Sequence, residues 1–380
     1  MSLRCLLLTA VLLAAAPGEA FHGSPAVRAG MLRASDLILN LDLAAAGAAC
    51  REILALPQGE APGRFCLGLV TLAAVEETDD PRPALDRFRA DFPRTLRAVE
   101  ALDAAQPGDP EVKLLLGLAH GTRAAIESER HRYVEALRAL RAAHQGFQDA
   151  LALDPRLADA YYGLGLYNYA IANLPALLRP LVATVLPRAD AARGIRELQV
   201  VAEHGTYLKM TARMALLRIY VGQERRYAEA YAVGRELLAR YPGNPDLYFA
   251  TAHAASELRR FADAMQVTQR LAAQIATGDP RFRDLVPRHQ QLLGKVYMDD
   301  GQYNAALDAF DRAIRSPTPP RYRWVTAWAW VRSGMIHDVL GDRDEAMRRY
   351  RETLAIQTDG LAGTLARRYL DAPYRGRSQS

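Results

Sequence analysis

The sequence predicts an all-α protein, a solenoid of helical hairpins. Apolar residues recur at helical spacing along most of the chain, and no alternating run of β-branched residues bounded by turns marks a strand. A pattern of small and aromatic residues returns at about 34 residues, the length of two antiparallel helices and their turns. Composition agrees: half of the 380 residues are hydrophobic and 24% are charged, as in a chain with a continuous helical core.

The first twenty residues read as an export leader. Arg4 precedes an apolar run from Leu6 to Ala16, and Gly18-Glu19-Ala20 ends in a small-x-small pattern, so cleavage near Ala20 and a periplasmic or secreted location are expected. The run is too short to span a bilayer comfortably, and Cys5 stands in front of it, where it cannot serve lipid attachment. Residues 21–106 read as a helical region with divergent repeats. Met31 to Leu54 carries Leu37, Leu41, Ala44 and Ala45 at helical spacing, with Asp42 to Ala46 resembling the second helix of a divergent repeat; helices are expected from Pro62 to Val75 and, after Asp79-Asp80-Pro81, from Pro83 to Ala105. Gln106 to Pro110 is the strongest break, and residues 107–370 follow as the repeat region. Glu111 to Ile126 and Arg132 to Leu153 form a long hairpin in which Ala143, Phe147 and Ala150 fall fourteen residues later than an ordinary repeat allows. Residues 371–380 read as a disordered tail.

The repeat is plainest from Leu293, where Leu293, Gly294, Tyr297, Gly301, Ala306, Phe310 and Ala313 follow one another; counted from Pro287, Gly294 is at position eight and Phe310 at twenty-four. Units starting at Thr211 and Pro245 are one period apart, the first with Leu217, Ala230 and Pro242, the second with Tyr248, Phe261 and Ala264. A unit near Ala327 carries Trp330, Gly334, Gly341, Ala346 and Tyr350, and one at Ala158 carries Tyr161, Leu164 and Gly165. Short insertions, Asp279 to Val286 and Arg321 to Thr326, separate the last three units. On these residues the chain from 111 to 358 resembles the tetratricopeptide repeat family. The resemblance implies a right-handed superhelical solenoid, and a role as an adaptor, assembly factor or co-chaperone that binds a peptide or protein along the concave side.

In that family the first helix of each hairpin lines the concave side. The resemblance therefore implies a groove built from Asp159, Tyr162, Leu166 and Tyr169; from Asp246, Phe249 and His253; from Arg288, Gln291, Lys295 and Met298; and from Trp328, Val331 and Met335. Arg288, Lys295 and Asp246 would set ligand orientation. The wall lacks the Asn and Lys pattern of members that clamp an acidic chain terminus. An apolar insertion at 171–189, with one charge before Pro187 and three prolines, interrupts the unit at Ala158; it reads as a plug on the solenoid core or as an exposed hairpin that docks on a client or a membrane surface.

The net charge of +5 rests almost wholly on arginine, and clusters such as Arg348, Arg349 and Arg351 interleave with Asp344 and Glu352 as a solvated helix face, so no nucleic-acid partner is expected. Cys50 and Cys66 flank the turn from Leu56 to Gly63 on antiparallel helices, a pair that an oxidising compartment could bridge. The histidines are scattered without metal-ligand spacing, and Gly-rich phosphate loops and Gly-x-Ser-x-Gly elbows are missing; no metal or cofactor is expected, and the chain does not read as an enzyme. The expected function is a non-enzymatic interaction scaffold or assembly factor of the cell envelope, with a lipid- or small-molecule-binding protein built around the apolar insertion as the alternative. The sequence leaves the partner's identity and the oligomeric state open.

Overall fold

A computed structural model describes residues 25–174 and 186–376. The leader, the body of the apolar insertion and the last four residues lie outside the described residues, and with them the plug and membrane-docking expectations. Among the described residues there are seventeen α-helices, two short 3-10 turns and no strand. Two compact units divide at residues 217 and 218. The first contains α1 (Pro25–Leu39), α2 (Leu43–Leu54), α3 (Glu60–Glu76), α4 (Arg82–Ala105), α5 (Pro110–Glu129), α6 (Tyr133–Leu153), α7 (Ala160–Ala172) and α8 (Ala191–His204), and the division falls within α9 (Lys209–Gly222). The second contains α10 (Tyr227–Arg240), α11 (Pro245–Glu257), α12 (Phe261–Ala276), α13 (Val286–Asp299), α14 (Tyr303–Arg315), α15 (Arg323–Val339), α16 (Arg343–Ile356) and α17 (Gly360–Asp371). No helix among the described residues is long and apolar enough to cross a membrane.

Three of the hairpins are held by a close contact between a glycine on the first helix and an aromatic ring on the second. A Cβ on Gly294 would lie 2.6 Å from the ring of Phe310, and one on Gly334 would lie 2.6 Å from Tyr350. The long hairpin obeys the same rule with both helices lengthened: a Cβ on Gly117 would lie 2.7 Å from Phe147, which accounts for the fourteen-residue displacement in the sequence. In the hairpin that carries the insertion, Gly165 meets Leu198 of α8 instead. The insertion therefore lengthens the connection between α7 and α8 and leaves their packing intact.

The turns inside the hairpins share a left-handed residue. Gly301 and Gly341 take φ of 79° and 83°, but the equivalent turns between α1 and α2, α5 and α6, and α11 and α12 use Leu41, His131 and Arg259, at φ near 58°. The turn at Leu41 divides the apolar run from Met31 to Leu54 into two helices, and Asp42 caps the second of them through Ala45 N. Helix starts follow ordinary capping chemistry: Asp109 Oδ1 accepts from Glu111 N at 2.8 Å and Asn244 Oδ1 from Asp246 N at 3.1 Å, with Pro110 and Pro245 next in the chain. The break from Gln106 to Pro110 is a turn between α4 and α5, which pack on each other inside the first unit.

Cys50 and Cys66 join α2 to α3 as a disulfide, with Cα atoms 5.5 Å apart. At the other end of the chain, the fully buried carboxylate of Asp338 takes Arg343 at 2.9 Å, the Tyr350 hydroxyl at 2.7 Å and the backbone N–H of Tyr374 at 2.8 Å. Tyr374 also packs edge-on against Tyr369, at 5.3 Å between centroids. Tyr374, inside the segment 371–380 expected as a disordered tail, is thus held against the last repeat.

Two outcomes test this account. Gly294→Ala should cost about 1–3 kcal/mol, since the fully buried Phe310 ring has nowhere to move, and a second change, Phe310→Leu, should recover part of the loss in thermal unfolding. Cys66→Ala should cost about 3 kcal/mol for a loop of this size, and dithiothreitol should lower the Tm of the wild type but not of the variant.

A candidate binding face on the C-terminal unit

In the second unit, the first helices of three successive hairpins pack side by side, α11 on α13 and α13 on α15. A stripe of residues three or four apart on each helix therefore continues onto the next. The stripe is Asp246, Phe249, His253 and Glu257 on α11; Arg288, Gln291, Lys295 and Asp299 on α13; and Trp324, Trp328 and Arg332 on α15.

Arg288 is the centre of one end. Its Nη1 donates to Asp246 Oδ1 at 2.7 Å, and its guanidinium carbon lies 3.8 Å from the centroid of Phe249, 5.7 Å from Tyr322 and 5.8 Å from Trp324. Such stacking contributes about 0.5–2 kcal/mol, rising as the cation loses water. Burial pushes the Asp246 carboxyl up, but the Arg288 and Arg218 cations outweigh it and hold that carboxyl below its ordinary range. Trp324 is 39% exposed, an aromatic surface left open beside the stacked arginine.

The middle of the stripe is closed. Lys295 Nζ donates to Glu257 at 2.8 Å and to Asp299, and Asp299 also accepts from Ser256 Oγ at 2.7 Å. Lys295 is buried. Its charge is consumed within the protein, so the orienting role expected for it does not fit its surroundings. His253 packs edge-on against Tyr227, and its pKa is pushed down to about 4 by loss of water first and then by the Lys295 and Arg332 cations, against the pull of Glu257 and Asp299. It is neutral at physiological pH. The Arg332 guanidinium sits 4.6 Å from the Trp328 centroid.

The residues expected from the first unit are placed otherwise. Asp159, Tyr162 and Tyr169 are all buried. The Asp159 carboxylate accepts the backbone N–H groups of Thr206, Tyr207 and Leu208, fixing the chain where it enters α9, so its chemistry is that of a cap. The neighbouring tyrosines pack in the core, and Tyr167 donates its hydroxyl to Pro187 O at 2.7 Å. In the second unit Gln291 and Val331 are also buried, whereas Asp246, His253, Arg288 and Trp328 keep access to solvent. Tyr322, Trp324 and Arg332 were missed because the repeat was counted from Ala327. The helix begins one turn earlier, at Arg323, and the spacing Trp324, Trp328, Arg332 is the signal that would have found them.

A second polar cluster lies inside the first unit, around a cavity of about 20 Å³ lined by Val27, Arg28, Met31, Glu111 and Tyr207 among others, room for one water-sized molecule. Burial pushes the Glu111 carboxyl up to about 8, helped by Asp109 and Asp159 and resisted by the nearby Tyr207 hydroxyl and by Arg28, whose guanidinium is 3.6 Å away. Between the ordinary value of 4.5 and about 8 the folded state holds this proton more tightly than the unfolded state, so its contribution to stability is lost as pH rises through that window. Glu111→Gln should match the wild type in Tm at pH 5 and exceed it at pH 8.5; equal melting at both values would show that Glu111 is not held in its neutral form.

Models of the tetratricopeptide repeat match residues 223–286 and 290–317. No curated protein sequence matches the chain. Among solved structures, the chain is similar to PilW, described as a widely conserved type IV pilus biogenesis factor, at 17% identity over 67% of this chain and 96% of that one, with a TM-score of 0.40. It is similar to PilF of Pseudomonas aeruginosa at 16% identity over 67% and 95%, with a TM-score of 0.35. YrrB, described as a TPR protein with an unusual peptide-binding site, matches at 16% identity over 71% and 98%, with a TM-score of 0.30. The family matches fall on α10 to α14, which carry two of the three helices of the stripe, and the fold is an all-α helical repeat with tetratricopeptide matches over residues 223–286 and 290–317.

Proposed function

We propose that the protein is a non-enzymatic interaction scaffold that holds an extended segment of a protein partner in a groove along the first-helix face of residues 218–376, and that it serves assembly in the cell envelope. The observation that carries this reading is Trp324. A large aromatic 39% exposed, next to a stacked arginine and in line with Trp328, is surface that water solvates poorly and a partner side chain would cover well. Trp, Tyr and Arg in partly dehydrated clusters are the residue types that dominate binding energy at interfaces. The tetratricopeptide matches support the same reading, since repeats of this kind act mainly by presenting a surface. The ion pairs of Lys295 with Glu257 and Asp299 favour a scaffold over a catalyst, because they engage the charged groups of the stripe with one another. The envelope part of the proposal rests on the leader pattern in residues 1–20.

A photo-crosslinking amino acid at position 324 or 328, in cells expressing the full chain with its own leader, should yield adducts to one discrete protein, while the same group at the exposed Leu361 should not. Trp324→Ala combined with Trp328→Ala should weaken binding of that protein by about 2–4 kcal/mol without changing the helical content. Adducts indifferent to position would sink the groove reading.

A further inference from the structure

We propose that Arg288 is the anchor for an acidic side chain, Asp or Glu, on the extended segment that the first-helix face binds, with an apolar or aromatic neighbour of that residue resting on Trp324. The inference rests on the peptide-binding reading above and names the chemistry of its partner.

Three observations lead to it. The guanidinium has five N–H donors, and among the described residues only Nη1 makes a hydrogen bond, to Asp246; Nε is buried without a partner. A cation stacked at 3.8 Å on Phe249, its side chain 17% exposed, has lost much of its water without replacing the hydrogen bonds that water supplied. A carboxylate meeting the open edge of its Nη groups would restore them in the charge-assisted geometry that suits guanidinium best.

The charge around the site has the right sign. Arg218 and Arg288 act on Asp246, and Arg321 lies 4.8 Å from the Tyr322 centroid and 3.4 Å from Asp284, so arginines gather at this end of the face. Asp246, Arg288 and Trp324 also lie in the first turns of α11, α13 and α15, and the adjoining helix N-termini add positive potential at the same end. Farther along the stripe Lys295 is outnumbered by Glu257 and Asp299, which disfavours a second acid there. Asp246 already places one carboxylate oxygen on Arg288. It holds the guanidinium flat on Phe249 and competes in part with the ligand.

The test is selection of random twelve-residue peptides displayed on phage against the full mature chain, the Arg288→Gln variant and the Asp246→Asn variant, followed by titration of one selected synthetic peptide. Wild type should enrich Asp or Glu at a fixed spacing from an aromatic or aliphatic residue. Changing that acid to its amide should weaken binding roughly tenfold or more, as should Arg288→Gln, and the two losses should not add. Asp246→Asn should tighten binding, and amidating the peptide's C-terminus should change it less than twofold. Enriched peptides without an acid, an acid preference that Arg288→Gln retains, or dependence on the terminal carboxylate alone would overturn the assignment of Arg288 while leaving a peptide groove in place. Failure of any protein to enrich a sequence would overturn the groove reading and this inference together. Should Arg288→Gln lose its helical content, the acid-to-amide change in the peptide, measured on wild type, decides alone.

Discussion

The contact of a glycine Cα with an aromatic ring inside the hairpins of Gly117, Gly294 and Gly334 is the constraint on which much of the structure depends. At Gly294 and Gly334 the space a Cβ would need is filled by Phe310 and Tyr350, so the two helices of a hairpin stand at the closest distance their backbones allow. Once that distance is fixed, the small residues Ala306, Ala309 and Ala313 on the second helix reach full burial, and the first helix is free to turn its other side to its neighbours. The candidate face is therefore a consequence of packing on the opposite side of the same helices.

Register between repeats is set by charge as well as by shape. Asp246 with Arg288 and Glu257 with Lys295 both connect α11 to α13, one pair near each end of the helices, and Asp311 with Arg349 connects α14 to α16 at 2.8 Å. The buried pair of Glu257 with Lys295 contributes little net stability, because dehydration of the charges offsets most of their attraction; removing one partner of such a pair, however, leaves an unpaired charge that costs about 3–5 kcal/mol. A slip of one helix turn between α11 and α13 would strand Lys295. These pairs thus exclude wrong alignments of helices whose apolar surfaces, rich in alanine, would otherwise tolerate several.

How much was legible in the sequence followed from how local the signal was. The hairpin pattern could be counted because position eight and position twenty-four must be a small residue and a ring, and the lengthened hairpin with Gly117 and Phe147 kept that pairing visible. The cysteine pair was legible for a similar reason, since equal distances from one turn bring two residues side by side. The face was harder. Tyr162 and Tyr169 stand at groove positions of the family pattern, yet Gly163 and Gly165 bring α7 so close to Phe147 and Leu198 that these tyrosines are enclosed. Trp324 and Tyr322 were hidden for the opposite reason: they precede the counted repeat, in a segment whose helix start lacks a side-chain cap that would have marked it.

The two ends of the stripe differ in what a cation has been given. Lys295 has two carboxylates, a hydroxyl close by and almost no contact with water, and every donor it could offer is directed at the protein. Arg288 has one oxygen and three aromatic rings. If the only demand on Arg288 were to align α11 with α13, the solution found at Lys295, a second carboxylate one turn away, would satisfy it better and would need no exposed tryptophan. The aromatic rings do something a second carboxylate would not: they seat the guanidinium against Phe249, with Nε buried and unused, and leave the Nη edge open. A rigid, half-satisfied cation beside an open aromatic surface is poor design for stability alone, and it follows naturally where part of the hydrogen bonding is left for a partner to complete.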